Sequence, residues 1–129
     1  MERIQYLIDT NAVIEYLGKD LSSEGLKFMN TVIDNIPGIS IITKIEVLGF
    51  NSAPEHERLL RDFMSDALIF ELDDAIVNVC IDLRKKYKTK LPDAIIAATA
   101  IVNDLTLITR NIADFRAINA LRLINPHQL

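Results

Sequence analysis

The chain has 129 residues, half of them hydrophobic, with four glycines and four prolines. This length and composition are typical of an ordered protein with a substantial hydrophobic core, so we expect a single domain over residues 1–129. The formal net charge of −4 excludes a uniformly basic nucleic-acid-binding protein, so a polyanion must be bound by a local basic patch or through a cation.

The first part of the chain alternates short apolar runs with helical patterns. Ile4–Ile8 suits a buried parallel strand, and apolar residues at helical spacing begin at Ala12. Ser22 is a cap residue that predicts a second helix, and Asn35–Gly38 is a predicted turn. Ile39–Ile41 is then the second predicted strand.

The alternation continues to the end of the chain. Thr43–Glu46 matches a capping box and predicts that a helix starts there. The remaining predicted elements are helices starting at Pro54, Asp73 and Leu91, and strands at 68–72, 106–108 and 121–124. Strands that alternate with helices predict an α/β three-layer sandwich, with a central parallel sheet of about five strands and helices on both faces.

Several features indicate an intracellular, soluble protein. The only cysteine, Cys80, lies in an apolar helical pattern, so no disulfide can form within the chain and we expect Cys80 to fill space in the core. Met1–Arg3 lead directly into the first strand without the hydrophobic core of a signal peptide. No apolar window is long enough to cross a bilayer. We therefore expect a cytoplasmic protein with no membrane association.

Four carboxylates lie at or shortly after the ends of predicted strands or at the start of a helix. They are Asp9, Glu46, Asp93 and Asp114. In a parallel sheet the carboxyl ends of the strands share one edge, which is where ligands bind. We therefore expect these four side chains to converge from distant parts of the sequence.

Each acid also has a simpler structural interpretation. Asp9 can cap the helix that follows it, and Glu46 can complete the capping box with Thr43. Asp93 at a helix start is stabilised by the macrodipole, and Asp114 can cap a short turn. These alternatives explain each acid singly, but they do not explain why all four fall at one edge.

The energetics of such a cluster favour a metal ion. Two carboxylates about 5 Å apart repel by roughly 3 kcal/mol at an effective dielectric near 20, so either some are protonated or a cation lies among them. Oxygen-only ligands favour Mg²⁺ or Mn²⁺ over zinc. The two histidines, His56 and His127, fall away from the acids in sequence, and we expect His127 to be an exposed tail residue.

At these residues the chain resembles a PIN domain, and within that group the VapC-type toxins of toxin–antitoxin pairs. The resemblance covers nearly the whole chain and rests on segments that occur in the family's order. These are Leu7–Asn11, Ile42–Glu46, Leu91–Ala100, Leu107–Phe115 and the closing Leu121–Pro126.

The resemblance implies a Mg²⁺- or Mn²⁺-dependent endoribonuclease that hydrolyses RNA phosphodiester bonds. It implies catalytic and metal-binding roles for Asp9, Glu46 and Asp93 as the acidic triad, with Asp114 as the fourth acid. Some members carry the fourth acid nearer the position of Asn111, which leaves Asp114 either as a direct ligand or as a residue that holds a metal-bound water. The polar residues implied to support the site are Asn11, Thr109 and Asn111. The resemblance further implies a cognate antitoxin protein and a homodimer.

A basic run, Arg84–Lys90, precedes the Asp93 segment. It predicts a ledge that contacts RNA phosphates, with its one aromatic residue available to stack on an unpaired base. The simpler interpretation is a helix C-terminus, where the dipole favours cations, and both can hold. The predicted RNA-contacting residues are Lys85, Lys86, Tyr87, Lys88 and Arg110.

Two other classes of function stay open. A catalytically silent PIN-like module that binds RNA or protein would have the same fold, although it would have no reason to keep mutually repelling acids together. A phosphoryl-handling domain of the receiver or haloacid-dehalogenase class also places acids at strand ends. That class needs a further acid close beside the first, where this chain has Thr10 and Asn11.

Overall fold

The computed structural model describes residues 4–129, and Met1–Arg3, expected to lead into the first strand, lie outside the described residues. The strands are β1 (Tyr6–Ile8), β2 (Gly38–Ser40), β3 (Leu68–Phe70), β4 (Thr106–Ile108) and β5 (Arg122–Ile124). The helices are α1 (Thr10–Leu17), α2 (Ser23–Asp34), α3 (Ile41–Leu48), α4 (Pro54–Asp66), α5 (Asp74–Lys86), α6 (Leu91–Val102) and α7 (Ile112–Phe115). A 3-10 turn, Pro126–Gln128, closes the chain.

The strands form one parallel sheet in the order β3-β2-β1-β4-β5 within residues 4–129. Successive strands extend from β1 to one side as far as β3, and the chain then crosses to β4 on the other side. The strand order therefore reverses between β1 and β4. In open α/β sheets, the crevice at the carboxyl ends of the two strands where the order reverses is the usual ligand site.

Neighbouring residues of a strand pack on opposite faces of the sheet. Leu7 and Leu107 belong to a core with α5, α6 and α7, whereas Ile8 and Ile108 belong to a second core with α1, α2, α3 and α4. Because strand side chains alternate with a period of two, each central strand contributes to both cores. The predicted three-layer α/β fold with helices on both faces is confirmed.

The predicted helix starts at Ser22, Pro54, Asp73 and Leu91 are confirmed, and only the start predicted at Thr43 differs. Ser22 and Asp73 accept hydrogen bonds from the backbone N–H groups of Gly25 and Ile76 at 3.1 and 2.9 Å, as N-caps do. The prediction of a capping box at Thr43–Glu46 is wrong. The helix α3 begins at Ile41, directly after β2, because the buried Ser40 caps it instead.

The strand β4 has its predicted bounds, β1, β3 and β5 are shorter than the apolar runs that predicted them, and β2 is shifted. The strand β1 begins at Tyr6 rather than Ile4, β2 is shifted by one residue to Gly38–Ser40, and β3 ends at Phe70. Gly38 explains the shift, because a Cβ atom there would lie 2.9 Å from the Tyr6 carbonyl oxygen. Only glycine allows β2 to approach β1 so closely.

Within residues 4–129, no helix combines the length and the apolar character needed to span a bilayer.

Candidate active site

Asp9 lies at the carboxyl end of β1, beside the end of β4. It is 4% exposed, and its Oδ1 accepts a hydrogen bond from the Ala12 backbone N–H at 2.9 Å, so Asp9 is the N-cap of α1 as its simpler interpretation predicted. Burial raises the pKa of Asp9 from 3.8 to about 6, against hydrogen bonds from the Thr109 hydroxyl and Ala12 that lower it. The charges of Glu15 and Asp93 make smaller contributions to this increase. Capping alone does not account for a carboxylate held under such repulsion.

The Glu46 carboxylate on α3 is held by a threonine of α1, Thr10. The Thr10 hydroxyl lies 2.6 Å from Glu46 Oε1 and 3.2 Å from the hydroxyl oxygen of the fully buried Thr43. Thr43 and Glu46 both lie within α3, one turn apart, so they share the face that meets α1. The expected role of Glu46 in a capping box is therefore replaced by a contact between helices.

Asp93 lies in the first turn of α6, half-buried. Burial raises its pKa, and so do the charges of Asp114 and Glu46, whereas Lys90 lowers it. Asp114 is exposed on α7. Since Asp93 is also among the charges that act on Asp9, each of the four acids is electrostatically coupled to at least one other, through Asp93.

These side chains are neighbours without forming a closed cage. Within residues 4–129, no three Asp, Glu, His or Cys side chains lie close enough together to ligate one ion as they stand. Burial, together with repulsion from neighbouring acids, nevertheless destabilises Asp9 and Asp93 in their ionised forms.

The predicted supporting residues differ in what they contact. Thr109 is fully buried, and besides donating to Asp9 its hydroxyl accepts a hydrogen bond from the Asn111 backbone N–H at 3.0 Å. Asn111 stands at the N-cap position of α7. Asn11 is exposed on α1 and, in the part of the chain that the structure describes, makes no side-chain hydrogen bond. Thr109 is thus the residue that joins the β4 end to Asp9.

Sequence reasoning missed a buried fifth acid, Glu15. Its Oε2 lies 2.6 Å from Arg110 Nη1, and its Oε1 lies 3.0 Å from His127 Nε2. The expectation that His127 is an exposed tail residue is wrong, because the last turn of the chain folds back against α2 and brings the imidazole to Glu15. The one available signal was the polar Glu15 within the apolar pattern of α1.

A groove of about 300 Å³ adjoins the acids. Its lining includes Tyr87, Lys88 and Lys90 together with Asp93 and Asp114. Lysine side chains and the acid pair therefore face the same space, which is the arrangement that the predicted RNA ledge requires.

The other predicted ledge residues are placed less favourably. Lys85 and Lys86 lie in the last turn of α5, as the helix-dipole interpretation predicts. The half-buried Tyr87 ring packs against the core, and Lys86 Nζ lies 5.6 Å from the ring centroid. These contacts leave less of the ring available to stack on a base.

Comparison with known proteins identifies one family. The sequence pattern of the PIN domain matches residues 6–121. The chain is similar to a chain of a toxin–antitoxin complex from Klebsiella pneumoniae, with 33% identity, a TM-score of 0.79, and coverage of 97% of this chain and 100% of that one. Comparison with curated protein sequences gives no match.

Two further solved structures share the fold. One is DNA-bound VapBC from Salmonella typhimurium, with a TM-score of 0.83 at 20% identity over 96% of this chain and 99% of that one. The other is VapBC2 from Rickettsia felis bound to a promoter DNA fragment, with a TM-score of 0.78 at 24% identity over 93% and 97% of the two chains.

Proposed function

The chain belongs to the PIN domain family, and from this and the geometry of the acids we propose that it is an endoribonuclease that hydrolyses RNA phosphodiester bonds with Mg²⁺ or Mn²⁺. PIN domain toxins are generally nucleases. The observation that carries the proposal is the electrostatic coupling of four carboxylates from distant segments, two of which, Asp9 and Asp93, have pKa values raised first by burial and in addition by neighbouring acids. The receiver and haloacid-dehalogenase alternatives are not compatible with this family.

The donor set fits a hard divalent cation. All four carboxylates offer oxygen only, and a cation among them offsets the burial and the repulsion that together raise the pKa of Asp9 and of Asp93. Mg²⁺ is commonly held by one or two carboxylates, with water and substrate phosphates completing its shell, so a closed protein cage is not required. We assign Asp9, Glu46, Asp93 and Asp114 as the residues that would hold the ion, directly or through water.

When bound, Mg²⁺ or Mn²⁺ supplies a Lewis acid that activates water and offsets charge on the phosphate. The protein's own residues hold the carboxylates and the RNA backbone in position. Thr109 and the Ala12 N–H fix Asp9, and the Thr10 hydroxyl holds Oε1 of Glu46. Lys88 and Lys90 in the groove offer cations to the RNA backbone beside Asp93. Fixed carboxylates need no reorganisation during the reaction, which favours catalysis.

Cleavage of RNA in vitro tests the proposed activity. The purified chain should cleave RNA when Mg²⁺ or Mn²⁺ is added and stop when EDTA is added, and Asp9→Asn should abolish cleavage. Asp62→Asn, which neutralises an exposed acid on α4, is the matched control. RNA binding with no cleavage under any of these conditions would instead favour the catalytically silent module.

We further propose that the chain is the toxin of a toxin–antitoxin pair, acts in the cytoplasm and is held inactive by a cognate antitoxin protein. The similarity to a chain of the Klebsiella pneumoniae toxin–antitoxin complex supports this. Induction of the chain in cells should arrest growth, whereas induction of Asp9→Asn should not. Sequencing the RNA fragments left after induction would then identify the target and the cut site.

A homodimer is the proposed assembly. The exposed side chains Ile45, Phe50 and Leu59 extend over α3, the segment after it and α4, and burying them against a second copy would remove this apolar surface from water. Light scattering of the purified chain should give twice the mass of one chain. Phe50→Glu should return it to a single copy, and a monomeric wild-type chain would refute the dimer.

A further inference from the structure

Glu15 is a buried carboxylate with both oxygens engaged. It is 8% exposed, yet its Oε2 lies 2.6 Å from the Arg110 guanidinium and its Oε1 lies 3.0 Å from the His127 imidazole. A buried carboxylate is costly unless it is paired and hydrogen-bonded. Arg110 and His127 offset that cost, and their contacts with Glu15 fix the positions of both side chains.

Arg110 is only partly used by this ion pair. Its side chain is 51% exposed, and within residues 4–129 only its Nη1 atom has a protein partner. The guanidinium has five N–H donors in a rigid planar fork, so most of its donors remain available to a ligand. Arg110 also follows Thr109, whose hydroxyl donates to Asp9, which puts its backbone at the carboxyl edge of β4.

The C-terminal turn is seated firmly enough to hold His127. The Asn125 side chain accepts a hydrogen bond from the His127 backbone N–H at 2.9 Å. A Cβ atom on Gly25 of α2 would overlap the carbonyl oxygen of Pro126, so the turn packs directly on the α2 backbone. His127 therefore supports Glu15 from a fixed part of the fold.

We propose that Arg110 contacts a backbone phosphate of single-stranded RNA, and that Glu15 and His127 are positioning residues that hold its guanidinium for this contact. The inference rests on the proposed RNA substrate and extends it to residues outside the acid set. An arginine held by one carboxylate loses less side-chain entropy when a phosphate binds, and arginine suits phosphate geometry.

A purely electrostatic role for Glu15 predicts the opposite result from a positioning role. Glu15→Gln removes one negative charge from a chain of net charge −4, which by itself should tighten the binding of a polyanion. Loss of positioning should weaken it. Glu24→Gln removes the same charge from an exposed pair with Lys27 and is the matched control.

The test is the binding of a fluorescein-labelled single-stranded RNA of mixed sequence to the full chain, followed by anisotropy in EDTA over a range of salt. Arg110→Gln should raise Kd about tenfold and reduce the salt slope by about 0.7, the value for one phosphate of a single strand. Glu15→Gln should raise Kd about threefold, His127→Gln less, and Glu24→Gln should leave Kd unchanged or slightly lower.

The double variant Glu15→Gln/Arg110→Gln should bind as weakly as Arg110→Gln alone, because Glu15 acts only through Arg110. Thermal melts identify any variant that fails to fold, and Glu15→Asp and His127→Gln then replace Glu15→Gln. Unchanged or tighter binding by the folded Glu15 variants, additive effects in the double variant, or no RNA binding by the wild type would overturn the inference. Because cleavage is not measured, Arg110-dependent binding by a chain that never cleaves RNA would refute the proposed nuclease alone.

Discussion

The Thr10 hydroxyl lies 2.6 Å from Glu46 Oε1, across 36 positions of sequence. The contact joins the helix that Asp9 caps to the helix that carries Glu46, and the buried Thr43 hydroxyl lies 3.2 Å from the same Thr10 oxygen. Glu46 itself is exposed, so this contact is what fixes its carboxylate in one orientation. Thr10 is therefore expected to affect catalysis through Glu46.

Replacing Thr10 by valine keeps the shape of the side chain and removes the hydroxyl. A hydrogen bond to a charged group contributes about 1.5–3 kcal/mol, so we expect kcat for RNA cleavage to fall about tenfold or more with a smaller change in KM. Thr10→Ser should retain most activity. Thr31→Val removes a hydroxyl that donates to the Lys27 carbonyl oxygen within α2 and should leave kcat unchanged. Equal kcat values for Thr10→Val and the wild type would refute this role.

The stability of the metal-free protein should depend on the ionisation of Asp9. Its pKa is about 6 in the folded chain and 3.8 ordinarily, chiefly because of burial. Between these values the folded state binds more protons than the unfolded state, so the contribution of Asp9 is fully present below about pH 4 and is lost as pH rises through 6. The size of the effect is about 3 kcal/mol at most.

Urea unfolding in EDTA measures this contribution, with Asp9→Asn as the reference because Asn keeps the helix cap and does not ionise. The free energy of unfolding of the wild type, relative to Asp9→Asn, should be higher at pH 4.5 than at pH 7.5. A difference that does not change with pH would show that the folded-state pKa of Asp9 is not raised.

Divalent metal should stabilise the folded chain. At a metal concentration about 100-fold above Kd the gain is about 2.7 kcal/mol, enough to raise Tm by several degrees. Asp93→Asn should remove most of the increase with Mn²⁺, because Asp93 is coupled to Asp9, Glu46 and Asp114. Asp62→Asn should keep the increase in full. A Tm that responds to Mn²⁺ equally in Asp93→Asn would place the metal elsewhere.

The groove beside the acids predicts unequal roles for two lysines of the basic run. Lys88 lines the groove together with Asp93 and Asp114, whereas Lys86 lies over the Tyr87 ring. Reversing Lys88 to Glu should therefore weaken RNA binding and flatten its salt dependence more than reversing Lys86. Lys27→Glu makes the same charge change on an exposed residue of α2 and should have the smallest effect. Equal losses for all three would indicate a diffuse effect of charge.

Much of the fold was readable from local pattern. Several predictions depend on residues within a few positions of one another. They are the strand β1, the helix caps at Asp9, Ser22 and Asp73, and the apolar helix α6. Such signals act over a single turn or strand, so the sequence carries them directly. The capping box at Thr43 failed because Ser40, three residues earlier, was an equally good cap and was already at the end of β2.

The side-chain environment of the acids was not readable in this way. In sequence Thr10 and Glu15 look like ordinary helix residues and Thr43 like a helix cap. Only the packing of α1 against α3 and of the C-terminal turn against α2 gives them the partners that they have. The basic run likewise supports two interpretations until the groove shows that Lys88 and Lys90, rather than Lys85, face the acids.

By itself, the sequence determined the kind of elements, their alternation and the four acids that follow them, since hydrophobic periodicity and cap chemistry are local properties. Only the tertiary structure decided which strand ends adjoin, because the order β3-β2-β1-β4-β5 depends on how whole helices and strands bury their apolar faces together. That order puts Asp9 beside Thr109, and no local pattern specifies it.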